Sequence, residues 1–149
     1  MASAAPLVTL VKRLGRSGDA IMRQRLMTLF AMESCARYTE LRIAAAADAG
    51  HQPGPESSLA YLDGVGRARA SRDLVFDILG PIGALSATAD SEIDAAVHMA
   101  LSTLAHGIQG GAEQIQRNIA GERVLGLSKE PQVDRDAPFR ELKVGTQRE

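Results

Sequence analysis

The sequence predicts an all-α protein: an antiparallel four-helix bundle with a short leading helix and an extended C-terminal tail. Three observations lead there. Aromatic residues make up 3% of the 149 residues, only Phe30, Phe76, Phe139, Tyr38 and Tyr61. The core must then be built from aliphatic side chains and alanine, which favours close-packed helices over a sandwich of strands. Long stretches of good helix formers run without Gly or Pro, and Gly, Pro and capping residues divide them. No strand pattern competes with this helical reading.

Three segments are expected: a leading segment at 1–18, the bundle at 19–127 and a charged tail at 128–149. Met1 to Gly18 has no acidic residue and carries Lys12, Arg13 and Arg16. This loosely resembles a mitochondrial transit peptide. The alternative is a short amphipathic helix with Leu7, Leu10, Val11 and Leu14 on one face, and that is the reading adopted. There is no apolar region ending in a signal cleavage site, so secretion is not expected and a cytoplasmic location is.

Arg16-Ser17-Gly18-Asp19 breaks the chain, and Asp19 is placed to cap a first long helix running to Ala49. Met22, Leu26, Leu29, Ala36 and Ile43 fall near helical spacing, as do Leu26, Phe30, Leu41 and Ala44. The apolar stripe is wide, which predicts a helix largely surrounded by its neighbours. Gly50 ends it, and Gly50 to Pro55 is a loop. Pro55 suits the first position of a second long helix, followed by Glu56 near the positive end of the dipole. That helix runs to Leu79 and stops at Gly80-Pro81. Its small residues Ala60, Gly64, Ala68 and Ser71 share one face and predict a close helix-on-helix contact.

Gly80 to Ala89 is a loop. Ser91, with Asp94 three residues on, resembles a capping box. It opens a third helix with Ile93, Val97, Ala100 and Leu104 on its apolar face, closing near His106-Gly107. Gly110-Gly111 is a tight turn. A fourth helix from Ala112 to Leu125 turns Ile115 and Ile119 inward, pairs Glu113 with Arg117, and stops at Gly126. Lys129 to Glu149 is charged, with Pro131 and Pro138, and reads as an extended arm or disordered tail.

Composition excludes several functions. Lys plus Arg is 17 against 18 Asp plus Glu, a net charge of −1, so nothing global marks a nucleic-acid binder. The single cysteine, Cys35, rules out an internal disulfide framework and a cysteine-based zinc site, and reads as a buried, inert thiol. No apolar run approaches the ~20 residues that span a bilayer. There is no phosphate-loop signature, zinc-protease motif or nucleophile elbow. His51, His98 and His106 are scattered and read as partly exposed histidines; no metal site is expected. The Gly110-Gly111 turn is the feature with chemical content. The helix after it begins with amides that have no intrahelical acceptor, and such an end attracts phosphate and other anions. Many such turns bind nothing, and Glu113 already places a negative charge there.

The run Ile108-Gln109-Gly110-Gly111-Ala112-Glu113-Gln114-Ile115-Gln116-Arg117-Asn118-Ile119-Ala120-Gly121-Glu122-Arg123-Val124-Leu125-Gly126-Leu127 resembles the C-terminal signature of acyl-CoA dehydrogenases. Leu10 to Leu26, with Arg13-Leu14-Gly15-Arg16 and Arg23-Gln24-Arg25-Leu26, is similar to the start of that family's C-terminal helical domain. Ala46 to Gly83, with Pro53 to Ser58 and Asp77-Ile78-Leu79-Gly80-Pro81, resembles its central helical pair and the loop that follows. The likeness covers about Leu7 to Glu130, and the 108–127 run is too long and ungapped for a generic bundle with a chance motif.

The resemblance implies FAD-dependent α,β-dehydrogenation of acyl-CoA thioesters, in which a carboxylate removes the α proton and the β hydrogen leaves as hydride to the flavin. Complete members have an N-terminal helical part, a middle β-domain and a C-terminal four-helix bundle, and this chain resembles only the last. By that matching Gly110, Gly111, Ala112, Gln114, Asp77 and Gly80 are the FAD-contacting positions. The position that is a catalytic glutamate in many members is Gly110, so no catalytic residue is assigned. Some members place that glutamate on an earlier helix of the bundle instead; Glu33 and Glu40 stand on the first long helix here, and both read as surface salt-bridging residues. The family's threonine is matched by Ala112, the glutamine that reaches a neighbouring subunit's FAD by Asp77, and a second glycine of that loop by Pro81. The isolated chain is therefore expected to be inactive, with acyl-CoA as substrate only in a complete assembly. A homo-oligomer (dimer or tetramer) or a longer acyl-CoA dehydrogenase chain is the implied partner. The alternative is a non-catalytic helical interaction module, which the losses at Gly110, Ala112 and Asp77 favour.

Overall fold

The computed structural model describes residues 4–51, 54–85, 89–129 and 137–141, and all regular structure in them is helical. Five α-helices follow one another: α1 (Ala4–Arg13), α2 (Ala20–Asp48), α3 (Glu56–Leu79), α4 (Ser91–Ser102) and α5 (Glu113–Arg123). Short 3-10 turns occupy Gly80–Ala84, Thr103–Gly107 and Phe139–Glu141. The middle of the loop before α3, residues 52–53, lies outside the described residues. So do 86–88 in the loop before α4, and most of the expected tail, 130–136 and 142–149.

The punctuation does what its chemistry dictates. The carboxylate of Asp19 accepts from the amides of Ile21 and Met22 at 3.0 and 3.1 Å, which caps the start of α2. Gly80, at φ 57°, ends α3 in the left-handed region that a side chain disfavours. At the end of α5 the amide of Leu127 reaches back to the carbonyl of Gly121 at 3.0 Å, with Gly126 at φ 69° between. This closure over Gly121 to Leu127 turns the chain through a positive φ, which is what makes a glycine there a stop. Two starts differ from expectation. Pro55 is the cap of α3 rather than its first helical residue. The cap of α4 is Asp90, not Ser91: Asp90 accepts from the amides of Glu92 and Ile93 at 3.0 and 3.2 Å. An ionised carboxylate at the positive end of the dipole outcompetes a neutral hydroxyl one residue on.

The central element is α3. Helices α1, α2, α4 and α5 all pack against it. Its Val65, Ala68, Ser71, Leu74, Val75, Ile78 and Leu79 are buried, Ala68 to 0% and Ser71 to 1% exposure. Helices α2 and α3 are antiparallel, because Arg25 near the start of α2 pairs with Asp77 near the end of α3. Farther along, Met32 lies over Gly66. Helix α1 crosses this pair and puts Ala4, Leu7, Leu10 and Val11 into the same core as Met22, Leu26 and Leu29. Its first amide, on Ala4, donates to Glu33 Oε1 at 2.8 Å. Arg16 closes the arrangement: its guanidinium donates to the carbonyls of Asp77 and Ile78, the latter at 3.0 Å, and pairs with Asp19 at 3.4 Å. A cation thus covers the carbonyl end of α3 where the dipole is negative.

Several side chains depart from the expected faces. The surrounded helix is α3, whereas α2 buries only Met22, Leu26, Leu29 and Ala36 and exposes Phe30 and Leu41. Leu104 and Ile115 are exposed, and Thr103 and Ala120 take the inward positions. Cys35 is exposed, not buried. The small-residue face of α3 is tightest at Ala68 and Ser71. At Gly64 a Cβ atom would meet nothing nearer than the Arg67 guanidinium at 3.9 Å. Among the described residues, no helix is long and apolar enough to cross a membrane.

Two outcomes follow from these contacts. Because Gly64 has room for a methyl group, Gly64→Ala should raise stability by up to ~1 kcal/mol through helix propensity alone; a loss in urea unfolding would mean that the position is closed by packing. The second concerns acid. Hydrogen bonding to the Met22 amide holds the Asp19 carboxyl below its ordinary value, and the Arg13 side chain, then the Ile93 amide, do the same for Asp90. A carboxylate whose folded pKa is depressed adds stability that is complete above its unfolded value, near 4, and lost as pH falls through the folded one. Stability should be level down to about pH 5 and fall below about pH 4. Asp19→Asn with Asp90→Asn, which keeps the capping oxygens, should flatten that acid limb; an unchanged slope would assign the loss to other groups.

Candidate functional site

The six positions that the resemblance matches to FAD contacts divide into two places. Gly110, Gly111, Ala112 and Gln114 form the turn into α5, while Asp77 and Gly80 lie at the far end of α3. The turn rests beside the middle of α3, where Arg69 contacts Glu113. From Arg69 to Asp77 is eight residues of helix, or roughly 12 Å along the axis. The two places are separate on one protomer.

The turn is built by its glycines. Gly110 has φ 72° and Gly111 φ 113°, both in the region that only glycine enters freely. They reverse the chain so that Ala112, with no capping side chain, leads directly into α5. The amides of Glu113, Gln114 and Ile115 precede the first amide bonded within the helix, that of Gln116, which donates to the Ala112 carbonyl at 3.1 Å. Gln116 Nε2 also donates to the Gly110 carbonyl at 3.4 Å. Gly110, Gly111 and Gln114 are exposed and Ala112 is half-buried.

The charge at this helix start is not where the sequence suggested. Glu113 keeps its expected partner, Arg117, at 2.6 Å, and gains a second, Arg69 on α3, also at 2.6 Å. Each guanidinium takes one carboxylate oxygen, and the side chain is 12% exposed. The Arg69 hydrogen bond, then that of Arg117, hold the Glu113 carboxyl below the usual carboxylate range, and Glu113 in turn raises Arg69. The carboxylate is drawn aside toward α3, and the open amides are left to other acceptors. Tyr61, two turns before Arg69, donates its hydroxyl to the His106 carbonyl at 2.6 Å. The loop is thus fastened to α3 on both sides. Nothing local in the sequence marks this: Glu113 is 44 residues from Arg69, and only the folded register joins them.

At the other place, Asp77 is half-buried and paired with Arg25. The aspartate's charge is answered within the protomer, so the repulsion it would offer a phosphate is largely cancelled. Among the described residues, neither Glu33 nor Glu40 makes the surface salt bridge expected of it. Glu33 accepts the first amide of α1, and Glu40 lines a separate cleft. That cleft, of about 630 Å³, lies between the second half of α2 and the first half of α3. Ala36, Ile43, Ala47, Leu59 and Ala60 line it, with Asp63 and Arg67 paired at 2.8 Å. It opens on the α2 side of α3, away from the Gly110-Gly111 turn. Among the described residues, no group of histidine, cysteine and carboxylate side chains could hold a metal ion. His51 and His98 are exposed, while Nδ1 of His106 is buried without a hydrogen-bond partner.

Comparison with known proteins places the sequence in a family. The family model described as acyl-CoA dehydrogenase, C-terminal domain, matches residues 10–125. Acyl-CoA dehydrogenase IpdE1 of Mycobacterium tuberculosis is 35% identical over 128 residues, covering 83% of this chain and 31% of that protein. Acyl-CoA dehydrogenase FadE34 of the same organism is 31% identical over 125 residues, 83% of this chain and 17% of its own length. Acyl-CoA dehydrogenase IpdE1 of Mycolicibacterium smegmatis is 34% identical over 128 residues, 83% and 30% respectively. The chain thus spans less than a third of these relatives' length. No solved structure matches it.

The two glycines of the turn should respond differently to substitution. A Cβ at Gly110 meets nothing within 4 Å, so Gly110→Ala carries only the left-handed backbone cost of roughly 1–2 kcal/mol. At Gly111 φ is farther from any region open to alanine, and the Cβ would stand 2.7 Å from Gln116 Nε2. Gly111→Ala should therefore cost more than Gly110→Ala in thermal unfolding; the reverse order would mean the turn is not held as described.

Proposed function

The chain belongs to the acyl-CoA dehydrogenase family, matching its C-terminal domain, and from that premise we propose that it supplies one wall of a flavin site completed by other parts of an assembly. In this reading residues 19–127 form the bundle, 1–18 lead into it and 128–149 follow it, and the assembly acts in the cytoplasm. Bound FAD would supply the acceptor for the β hydrogen of an acyl-CoA thioester. The residues of the turn fit such a group: the amides at the start of α5 are free of capping side chains, and the carboxylate of Glu113 is held off by Arg69 and Arg117. Gly110, Gly111, Ala112 and Gln114 would hold it there. At the end of α3, Asp77 and Gly80 would face a second FAD, that of a neighbouring subunit, with Arg25 balancing the aspartate.

The single observation that carries the reading of the isolated chain as inactive is the absence of a usable carboxylate at the turn. Gly110 has no side chain. The adjacent Glu113 is depressed in pKa by Arg69 and Arg117, and a carboxylate held that low is a poor acceptor for an α proton. The purified 149 residues, mixed with FAD and an acyl-CoA in a dye-reduction assay, should show no turnover above a protein-free blank. Measurable turnover would overturn this.

A second reading, as a helical interaction module, is favoured by one further observation. Met27, Phe30, Tyr38 and Leu41 follow along α2 at spacings that put them on one face, and all four are more than half exposed. With Ser34 between them they form an unpartnered apolar stripe about a third of a turn from the core face. A second copy of this chain, as dimer or tetramer, or a longer acyl-CoA dehydrogenase would cover it. Sedimentation should show self-association that Phe30→Glu with Leu41→Glu abolishes without loss of helicity. A clean monomer at high concentration would rule out the homo-oligomer.

A further inference from the structure

We propose that Arg69 and Tyr61 of α3 are positioning residues for the Gly110-Gly111 turn, with Glu113 as the handle by which Arg69 grips it. Its bearing on a flavin rests on the reading above; the positioning itself does not. Between His106 and Glu113 the chain makes few bonds of its own. The amides of Ile108 and Gln109 both go to the Ala105 carbonyl, and Gly110 is held only by the long contact from Gln116. Ile108 through Gly111 are exposed, and two adjacent glycines lose more conformational freedom on ordering than any other pair. A loop of that kind keeps one shape only if its ends are fixed from outside.

Helix α3 fixes both ends. At the leading end the Tyr61 hydroxyl donates to the His106 carbonyl at 2.6 Å. At the trailing end Arg69 donates to Glu113 Oε2 at 2.6 Å. The guanidinium also lies across the start of the loop, since a Cβ on Gly107 would be 3.5 Å from its terminal nitrogen. The two anchors are eight residues apart on a buried and therefore rigid helix. Arg117 holds the other oxygen of Glu113 from within α5, so it stabilises the helix but cannot tie it to α3. Arg69 has a second consequence. The Glu113 carboxylate bonds to the two guanidiniums and not to the amides of its own helix, where it would compete with an incoming anion.

Backbone 15N relaxation of the 149-residue chain, without any flavin, tests the inference. In the parent chain Gly110 and Gly111 should have order parameters close to the rigid value of ~0.85. Arg69→Gln should lower both toward ~0.6 or below while Leu74 and Val75 keep theirs. Arg69 is half exposed, so folding is not at stake. Tyr61→Phe should loosen Gly107 and Ile108 first, and Arg117→Gln should leave the turn near the parent values. Unchanged order at the turn in Arg69→Gln, an equal loss in Arg117→Gln, or a loss that spreads into α3 would each overturn it. The order parameters are read without flavin, so no outcome of the dye-reduction assay moves them, and the two ideas stand or fall separately.

Discussion

Most of the helix packing among the described residues passes through the burial of α3. A helix with Ala68 and Ser71 fully enclosed and with Leu74, Val75 and Ile78 beside them has apolar surface facing several directions, and one neighbour cannot cover it. Helices α1 and α2 close one side, α4 and α5 others. The small residues at 68 and 71 let the neighbours come close, and the larger aliphatic residues that follow widen the core where α1 enters. Enclosure also buries Ile78 and Leu79 in the last turn of α3. At the carbonyl end Arg16 answers this from the turn between α1 and α2, so a backbone need in α3 fixes how the N-terminal segment is laid down.

The same economy of charge recurs. Arginines join elements far apart in sequence: Arg13 with Asp90, Arg25 with Asp77, Arg69 with Glu113. Their acidic partners stand at helix starts in two cases, where an ionised carboxylate already interacts well with the dipole. Such half-exposed pairs contribute modestly to stability. Their effect here is on register: they decide which turn of one helix faces which turn of another. Hydrophobic burial, being non-directional, leaves that choice open.

What could be read from the sequence follows from this division. Helix limits were legible because glycine, proline and capping residues act locally: Asp19, Gly80 and Gly126 serve as expected. Asp90 was missed as a cap because Ser91 fits the same local pattern. Which face of a helix turns inward was legible only where one stripe is apolar. On α2 two stripes are, and the sequence does not say that Leu26 and Leu29 face the core while Phe30 and Leu41 face outward. Leu104 and Ile115 were placed inside for the same reason. At the candidate site, the turn and its glycines were legible as a motif. Arg69, Tyr61 and Arg25 were not, because a contact 44 to 52 residues away in sequence exists only once the helices are in register.

The separation of the two halves of the site along α3 has a structural consequence. A single cofactor lying at the Gly110-Gly111 turn is beside the middle of α3, whereas Asp77 and Gly80 are two turns farther on, at the end that Arg16 and Arg25 occupy. The two places lie along one continuous helix. In the reading proposed above each place faces a different FAD, and that requires further protein against both. The unpartnered stripe on α2 points the same way, since its apolar side chains lie outside the core that α3 organises. The two needs have different causes: α3 is buried by helices of this chain, whereas in the reading proposed a cofactor would be enclosed only by surfaces that these helices do not present to one another.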